Sequence, residues 1–169
     1  DLGDAREDIG LVPRHPQRFD EVAQLMRAAG KNSGKKILRK SALNELNAVQ
    51  QTAELGTADI VLGDTMGEMF TYYAIADIVL MGGTWLPYGG QNFLEPMALG
   101  KTVWVGPSVY NFEYLVTVAL NQALLKQFDT MFKAISTLGA NDGKANFDTN
   151  GICSFLESFG GVSKKLIKT

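Results

Sequence analysis

Asp77-Ile78-Val79-Leu80-Met81 runs into Gly82-Gly83-Thr84-Trp85-Leu86-Pro87-Tyr88-Gly89-Gly90-Gln91-Asn92, and the segment Leu94 to Leu99 then leads to Thr102-Val103-Trp104-Val105. A short apolar run, a glycine-rich turn, a short helical stretch and a second apolar run make one strand-loop-helix-strand unit. Outward from this stretch, similar runs recur at Asp8 to Val12, Lys36 to Arg39 and Asp59 to Leu62, with helical patterns between most of them. This alternation predicts βαβ units and an α/β fold with a parallel sheet.

The helical segments follow from spacing. Phe19, Val22, Leu25, Met26 and Ala29 fall on one helical face, and Gly30 stands where a C-terminal cap is expected. Lys31 to Lys36 reads as a basic turn, and the polar stretch Ser41 to Thr57 reads equally as a helix or a long loop. Met66 to Ala76 is helical through Met69, Phe70 and Tyr73. Glu113 to Leu125 and Ile152 to Ile167 read as helices, Gly139 to Gly151 as a turn-rich connection, and no strand is evident between Leu120 and Phe128. No repeat or heptad seam appears, which excludes a solenoid or coiled coil.

With 169 residues, 46% hydrophobic and 20% charged, the chain has the length for one domain with a sizeable core, and disordered, collagen-like and disulfide-dense classes are excluded. Sixteen basic against 18 acidic side chains leave a net charge of -2, so no global field draws nucleic acid or an anionic membrane, and anion binding must be local. A single cysteine, Cys153, forms neither an internal bridge nor a thiolate metal site, which fits a reducing compartment. No apolar stretch approaches the roughly 20 residues of a membrane span. The opening Asp1-Leu2-Gly3-Asp4 is neither an initiator methionine nor a signal peptide, and the chain is expected to be a piece of something longer.

In a parallel sheet, ligands bind where strand ends meet helix starts. The loops to examine are therefore Pro13 to Arg18, Gly63 to Glu68, Gly82 to Glu95 and Gly106 to Phe112. Two glycine pairs, Gly82-Gly83 and Gly89-Gly90, suit backbone approach to a phosphate, or else a plain turn; the dinucleotide and P-loop patterns are both missing. Asn92 and Glu95 have the spacing of a helix-capping pair; alternatively Glu95 accepts from two ribose hydroxyls while Asn92 holds phosphate. Arg14 is the favoured phosphate contact over His15, while Arg18 reads as a solvated helix residue. Gly63 to Glu68 offers backbone groups to the edge of a base, with Asp64 and Thr65 as possible helix caps. Neither a catalytic triad nor a clustered metal-ligand set can be placed, so nucleophilic catalysis and a metal site are not expected. Lysines at Lys31, Lys35, Lys36, Lys40, Lys164, Lys165 and Lys168, with Arg39, are solvated faces or contacts to anionic lipid.

Taken together, Pro13-Arg14-His15-Pro16 with Arg18-Phe19, then Leu62-Gly63-Asp64-Thr65-Met66-Gly67-Glu68, then Gly82-Gly83 through Gly89-Gly90-Gln91-Asn92 with Leu94-Glu95-Pro96, and finally Gly106-Pro107 with Asn111-Phe112, resemble the C-terminal domain of bacterial 3-deoxy-D-manno-octulosonic acid (Kdo) transferases. The resemblance runs from about Asp8 to Leu120, with a weaker echo at Phe155 to Ile167. It implies a Rossmann-like three-layer domain over residues 1–169, the C-terminal half of a GT-B glycosyltransferase, and donor CMP-Kdo as its ligand. Carried across position by position, Pro13 and Arg14 contact CMP, Met66, Gly67 and Glu68 hold the nucleoside, and Asn92, Phe93, Leu94 and Glu95 bind phosphate and ribose. Gln91 and Ser108 stand where His is common in the family, and Phe93 where Pro is usual.

The resemblance further implies that the catalytic glutamate and the surface for the lipid A precursor belong to an N-terminal domain that this chain does not match. The chain alone is then expected to be inactive, with no catalytic residue of its own and no metal or other cofactor. The full-length protein is expected at the cytoplasmic face of the inner membrane, with CMP-Kdo and lipid A precursor as partners and no nucleic acid. The alternatives are another GT-B transferase or a nucleotide-sugar epimerase domain, or a noncatalytic interaction domain.

Overall fold

Six short strands and six α-helices are found in the computed structural model, which describes residues 9–140. The expected helix Ile152 to Ile167, the connection beyond Ala140, Cys153 and the lysines of the tail lie outside the described residues. All strand pairs are parallel, as the alternating pattern predicts, and they form two three-stranded sheets. The chain divides into two compact units, Asp1–Met69 and Phe70–Thr169, each with one of these sheets.

In the first unit, β1 (Ile9–Leu11), β2 (Ile37–Arg39) and β3 (Ile60–Leu62) lie in the order β1-β3-β2. Leu11 and Arg39 both register with Leu62, so all three strands end at one edge. A 3-10 turn at Pro16–Arg18 leads into α1 (Phe19–Ser33). This helix passes through Gly30 and ends at Gly34, whose φ of 69° supplies the left-handed cap. Gly30 is instead a packing contact: a Cβ there would lie 2.6 Å from the Ile37 side chain. The buried stripe passes through Ala23 and Gly30, so Leu25 stays 61% exposed although its spacing suggested the core face. The stretch Ser41 to Thr57 is taken up by a 3-10 segment that begins one residue earlier, Lys40–Glu45, and by α2 (Ala48–Leu55), which starts at a reciprocal capping box between Asn47 and Gln50. Leu38, Leu43 and Ala58 form the core of this unit.

The second unit takes up most of α3 (Met69–Ile75), followed by β4 (Ile78–Leu80), α4 (Leu94–Ala98), β5 (Thr102–Val105), α5 (Glu113–Asn121), β6 (Leu125–Gln127) and α6 (Met131–Ala140). The central strand β5 is buried along its whole length, in the order β4-β5-β6. Met81, Phe93, Met97, Val103, Val105, Val116, Ala119, Leu124 and Leu125 make the core.

The helix expected to run to Leu125 stops at Asn121, and the strand that was not evident from the sequence is β6. The helix closes through Ala123 N–H to the Leu120 carbonyl and Leu124 N–H to the Ala119 carbonyl, both 2.9 Å, with Ala123 at φ 56°. That is a helix-terminating motif in which alanine occupies the position that glycine normally marks.

Candidate functional site

The first cluster of loops leaves the sheet edge of the first unit. Gly63 N–H donates to the Leu11 carbonyl at 2.9 Å, which brings the segments after β1 and β3 side by side. Pro13 is half-buried and Arg14 exposed just beyond β1. Beyond β3, Met66 is 69% exposed, Gly67 takes φ +82°, and Glu68 is half-buried. The Glu68 carboxylate accepts from Thr65 Oγ1 and lies 3.6 Å from Lys40 Nζ. The structure therefore brings Pro13, Arg14, Met66, Gly67 and Glu68 to one edge, as their positions after neighbouring strands require.

Asp64, suggested as a cap, is not one: α3 begins only at Met69. Its side chain is fully buried and accepts from Arg39 Nε at 2.6 Å, from Ser41 N–H at 2.8 Å and from Ser41 Oγ at 2.6 Å. Burial pushes this carboxyl upward, but the hydrogen bonds from Ser41 and the Arg39 guanidinium outweigh it and hold the group below the usual aspartate range.

In the second unit, the loops after β4 and β5 brace each other. Thr84 Oγ1 donates to the Met81 carbonyl at 2.6 Å and accepts from Gly106 N–H at 2.8 Å, while Ser108 N–H donates to the Thr84 carbonyl at 2.8 Å. Gly89 N–H donates to Ser108 Oγ at 3.1 Å and Gly90 N–H to the Gly83 carbonyl at 3.1 Å. Of the two readings of the glycine pairs, these two amides follow the plain turn: they are spent inside the loop. The glycines there have a steric cause: a Cβ on Gly89 would lie 2.5 Å from the Tyr110 ring, and one on Gly106 would lie 2.4 Å from the Thr84 carbonyl oxygen. Asn111 completes the brace, its Nδ2 donating to the Tyr88 carbonyl at 3.0 Å.

This braced loop delivers Asn92 to Glu95. Asn92 Oδ1 accepts from Leu94 N–H at 3.2 Å and its Nδ2 donates to Glu95 Oε1 at 3.0 Å, so the pair is joined side chain to side chain rather than as a reciprocal capping box. Asn92 is exposed, and Leu94 and Glu95 are half-buried. Phe93 is 1% exposed, its ring packs edge-on against Phe112 at 5.9 Å and its carbonyl accepts from Met97 N–H at 3.3 Å, so it holds the segment from inside. Tyr73 stands near Glu95: burial, and next the Glu95 charge, raise its phenol above the usual range. Arg39, Ser41, Thr84 and Asn111 were missed as supports because their roles depend on partners 20 or more residues away. Among the described residues no group of three or more His, Cys, Asp or Glu side chains is placed to hold a metal ion.

Each unit thus presents strand-end loops carrying exposed donors beside a carboxylate, an arrangement suited to the phosphate, hydroxyl and amide groups of a nucleotide. The resemblance read from the motifs is borne out by comparison with known proteins. The chain is 45% identical over 106 residues to a 3-deoxy-D-manno-octulosonic acid transferase of Bordetella pertussis, an alignment covering 62% of this chain and 22% of that protein. It is 30% identical over 161 residues to the protein of the same name from Haemophilus influenzae, covering 92% of this chain and 35% of the relative. The chain therefore spans about a third or less of the length of these curated relatives. Among solved structures it is similar to the C-terminal CMP-Kdo binding domain of WaaA from Acinetobacter baumannii, with a TM-score of 0.64 and 25% identity over 95% of this chain and 70% of that one. No family model matches the chain.

Proposed function

We propose that this chain is the donor-binding domain of a glycosyltransferase that moves Kdo from CMP-Kdo to a lipid A precursor in lipopolysaccharide synthesis. The observation that carries the reading is a likeness to a CMP-Kdo binding domain over 95% of the chain, on a fold whose matching motifs fall on the segments between a strand and the start of the next helix. Nothing in the comparisons favours an epimerase or a noncatalytic interaction domain.

In this reading Pro13 and Arg14 contact CMP, with the Arg14 guanidinium answering the phosphate charge. Met66, Gly67 and Glu68 hold the nucleoside. Asn92, Phe93, Leu94 and Glu95 take the phosphate and ribose, and the Glu95 carboxylate accepts from vicinal hydroxyls. Holding CMP stabilises the leaving group but leaves the acceptor hydroxyl protonated, so the general base and the lipid A surface are assigned to a separate N-terminal domain. The full-length protein works at the cytoplasmic face of the inner membrane; in this chain, no described helix is long and apolar enough to cross one. Donor binding needs no metal and no other cofactor.

Titration of the chain with CMP and with UMP, in the presence and absence of a chelator, tests this reading. Saturable binding that favours CMP, survives chelation and perturbs Arg14, Gly67 and Glu95 amides is expected. A preference for UMP, or loss of binding on chelation, overturns it.

A further inference from the structure

We infer that Asp64 is a positioning residue for donor recognition: its buried carboxylate ties the end of β3 to the segment leaving β2 and so fixes Met66-Gly67-Glu68 before the nucleoside arrives. The inference rests on the functional reading above. Three donors from Arg39 and Ser41, the last residue of β2 and its second successor, converge on this one anion at 2.6 to 2.8 Å. Arg39 in turn reaches Asp20 Oδ1 on α1 through Nη1 at 2.9 Å. Lys40 sits between the two anchored residues, and its ammonium lies 3.6 Å from Glu68 Oε1. Thr65, next to Asp64, donates its hydroxyl to Glu68 from the other side. Glu68 is thereby held by both neighbours of the Asp64 network, one on each chain segment.

Such an arrangement has a physical use. Met66 and Gly67 are exposed, and Gly67 takes φ +82°, so the segment has few packing restraints of its own. Ordering it in advance removes that entropic cost from the binding step. A buried carboxylate is tolerated only with several donors, and here the donors come from the end of β2 and the 3-10 segment that follows it, beside the loop that the carboxylate holds.

The test compares CMP affinity and melting temperature in the unaltered 169-residue chain and in Ser41→Ala, Ser41→Thr, Asp64→Asn and Glu95→Gln. Ser41→Ala is expected to weaken CMP binding about five-fold at temperatures where the variant is fully folded, with Ser41→Thr restoring it and Asp64→Asn losing about ten-fold or more. The amide signals of Gly67 and Glu68 are expected to shift in Ser41→Ala without ligand. Should Asp64→Asn fail to fold, the Ser41 pair decides. Affinity in Ser41→Ala within about two-fold of the unaltered chain, while Glu95→Gln binds more weakly, overturns the positioning role and leaves the functional reading standing. Absence of CMP binding by the unaltered chain overturns that reading, and this inference with it.

Discussion

At Asp64 a carboxylate with no exposed side-chain surface stays ionised because three donors from Arg39 and Ser41 surround it. Its folded-state pKa lies below the ordinary value, so the stability it contributes is fully present above the usual aspartate range and is lost as pH falls below it. Chemical denaturation at a series of acidic pH values is expected to show a steep loss in the unaltered chain and a shallower one in Asp64→Asn. Equal slopes would mean the carboxylate titrates alike in the folded and unfolded states. At Glu95, replacement by glutamine keeps an oxygen for Asn92 but removes the charge. CMP binding is expected to weaken by about 1 to 3 kcal/mol with the melting temperature nearly unchanged. The same variant is expected to lower the phenol pKa of Tyr73, read by NMR or by difference ultraviolet titration against Tyr73→Phe, because the neighbouring negative charge is gone. Unchanged affinity with a lowered melting temperature would leave Glu95 as a structural partner of Asn92 alone.

The elements show how local signals succeed and fail. Strands β1 to β5 fall inside or on the apolar runs read from the sequence, because short β-branched, apolar runs between turns have few other uses in an α/β chain. The end of α5 is the exception, since Ala123 sits in the left-handed region with nothing in the sequence to mark it. Ala123→Gly is expected to stabilise the second unit by about 0.5 to 1 kcal/mol, since glycine adopts that conformation without the Cβ clash. Thermal unfolding checks this, and a lowered melting temperature would contradict the conformational argument. In the loop after β4 the glycines serve close packing against Tyr110 and Thr84, with two of their amides turned inward. What the loop offers a ligand is the geometry of Asn92 to Glu95, held by that brace.

For the whole molecule, the chain matches about a third or less of its curated relatives' length, and the proposed reading gives it the donor and leaves the deprotonation of the acceptor hydroxyl to another domain. Incubated with saturating CMP-Kdo and a labelled lipid A precursor, this chain alone is expected to give no product above a no-enzyme control. Turnover would place the general base among residues assigned here to structure or donor binding. Adding a matching N-terminal half is expected to restore transfer where the halves dock, because a bound leaving group and a deprotonated acceptor are both required.

Strands β1 to β5, the parallel class and the loops that carry the motifs were legible in the sequence, because periodicity and turn residues act over a few neighbours, whereas β6 and α6 were not read and α2 was left open between helix and loop. Arg14 and Gly67 were visible as candidates because each sits a few residues beyond a recognisable strand, and Glu95 because it stands three residues after Asn92 at the start of a helix. Tertiary structure alone decided that Asp64 is an anchor rather than a cap, that α1 runs through Gly30, and that Gly89 answers to Ser108 and Tyr110. Each depends on which distant side chain or strand occupies the adjoining space. Hydrogen bonds and steric limits act through distance in space, and nothing in the local spacing of residues encodes a partner 23 or 19 positions away.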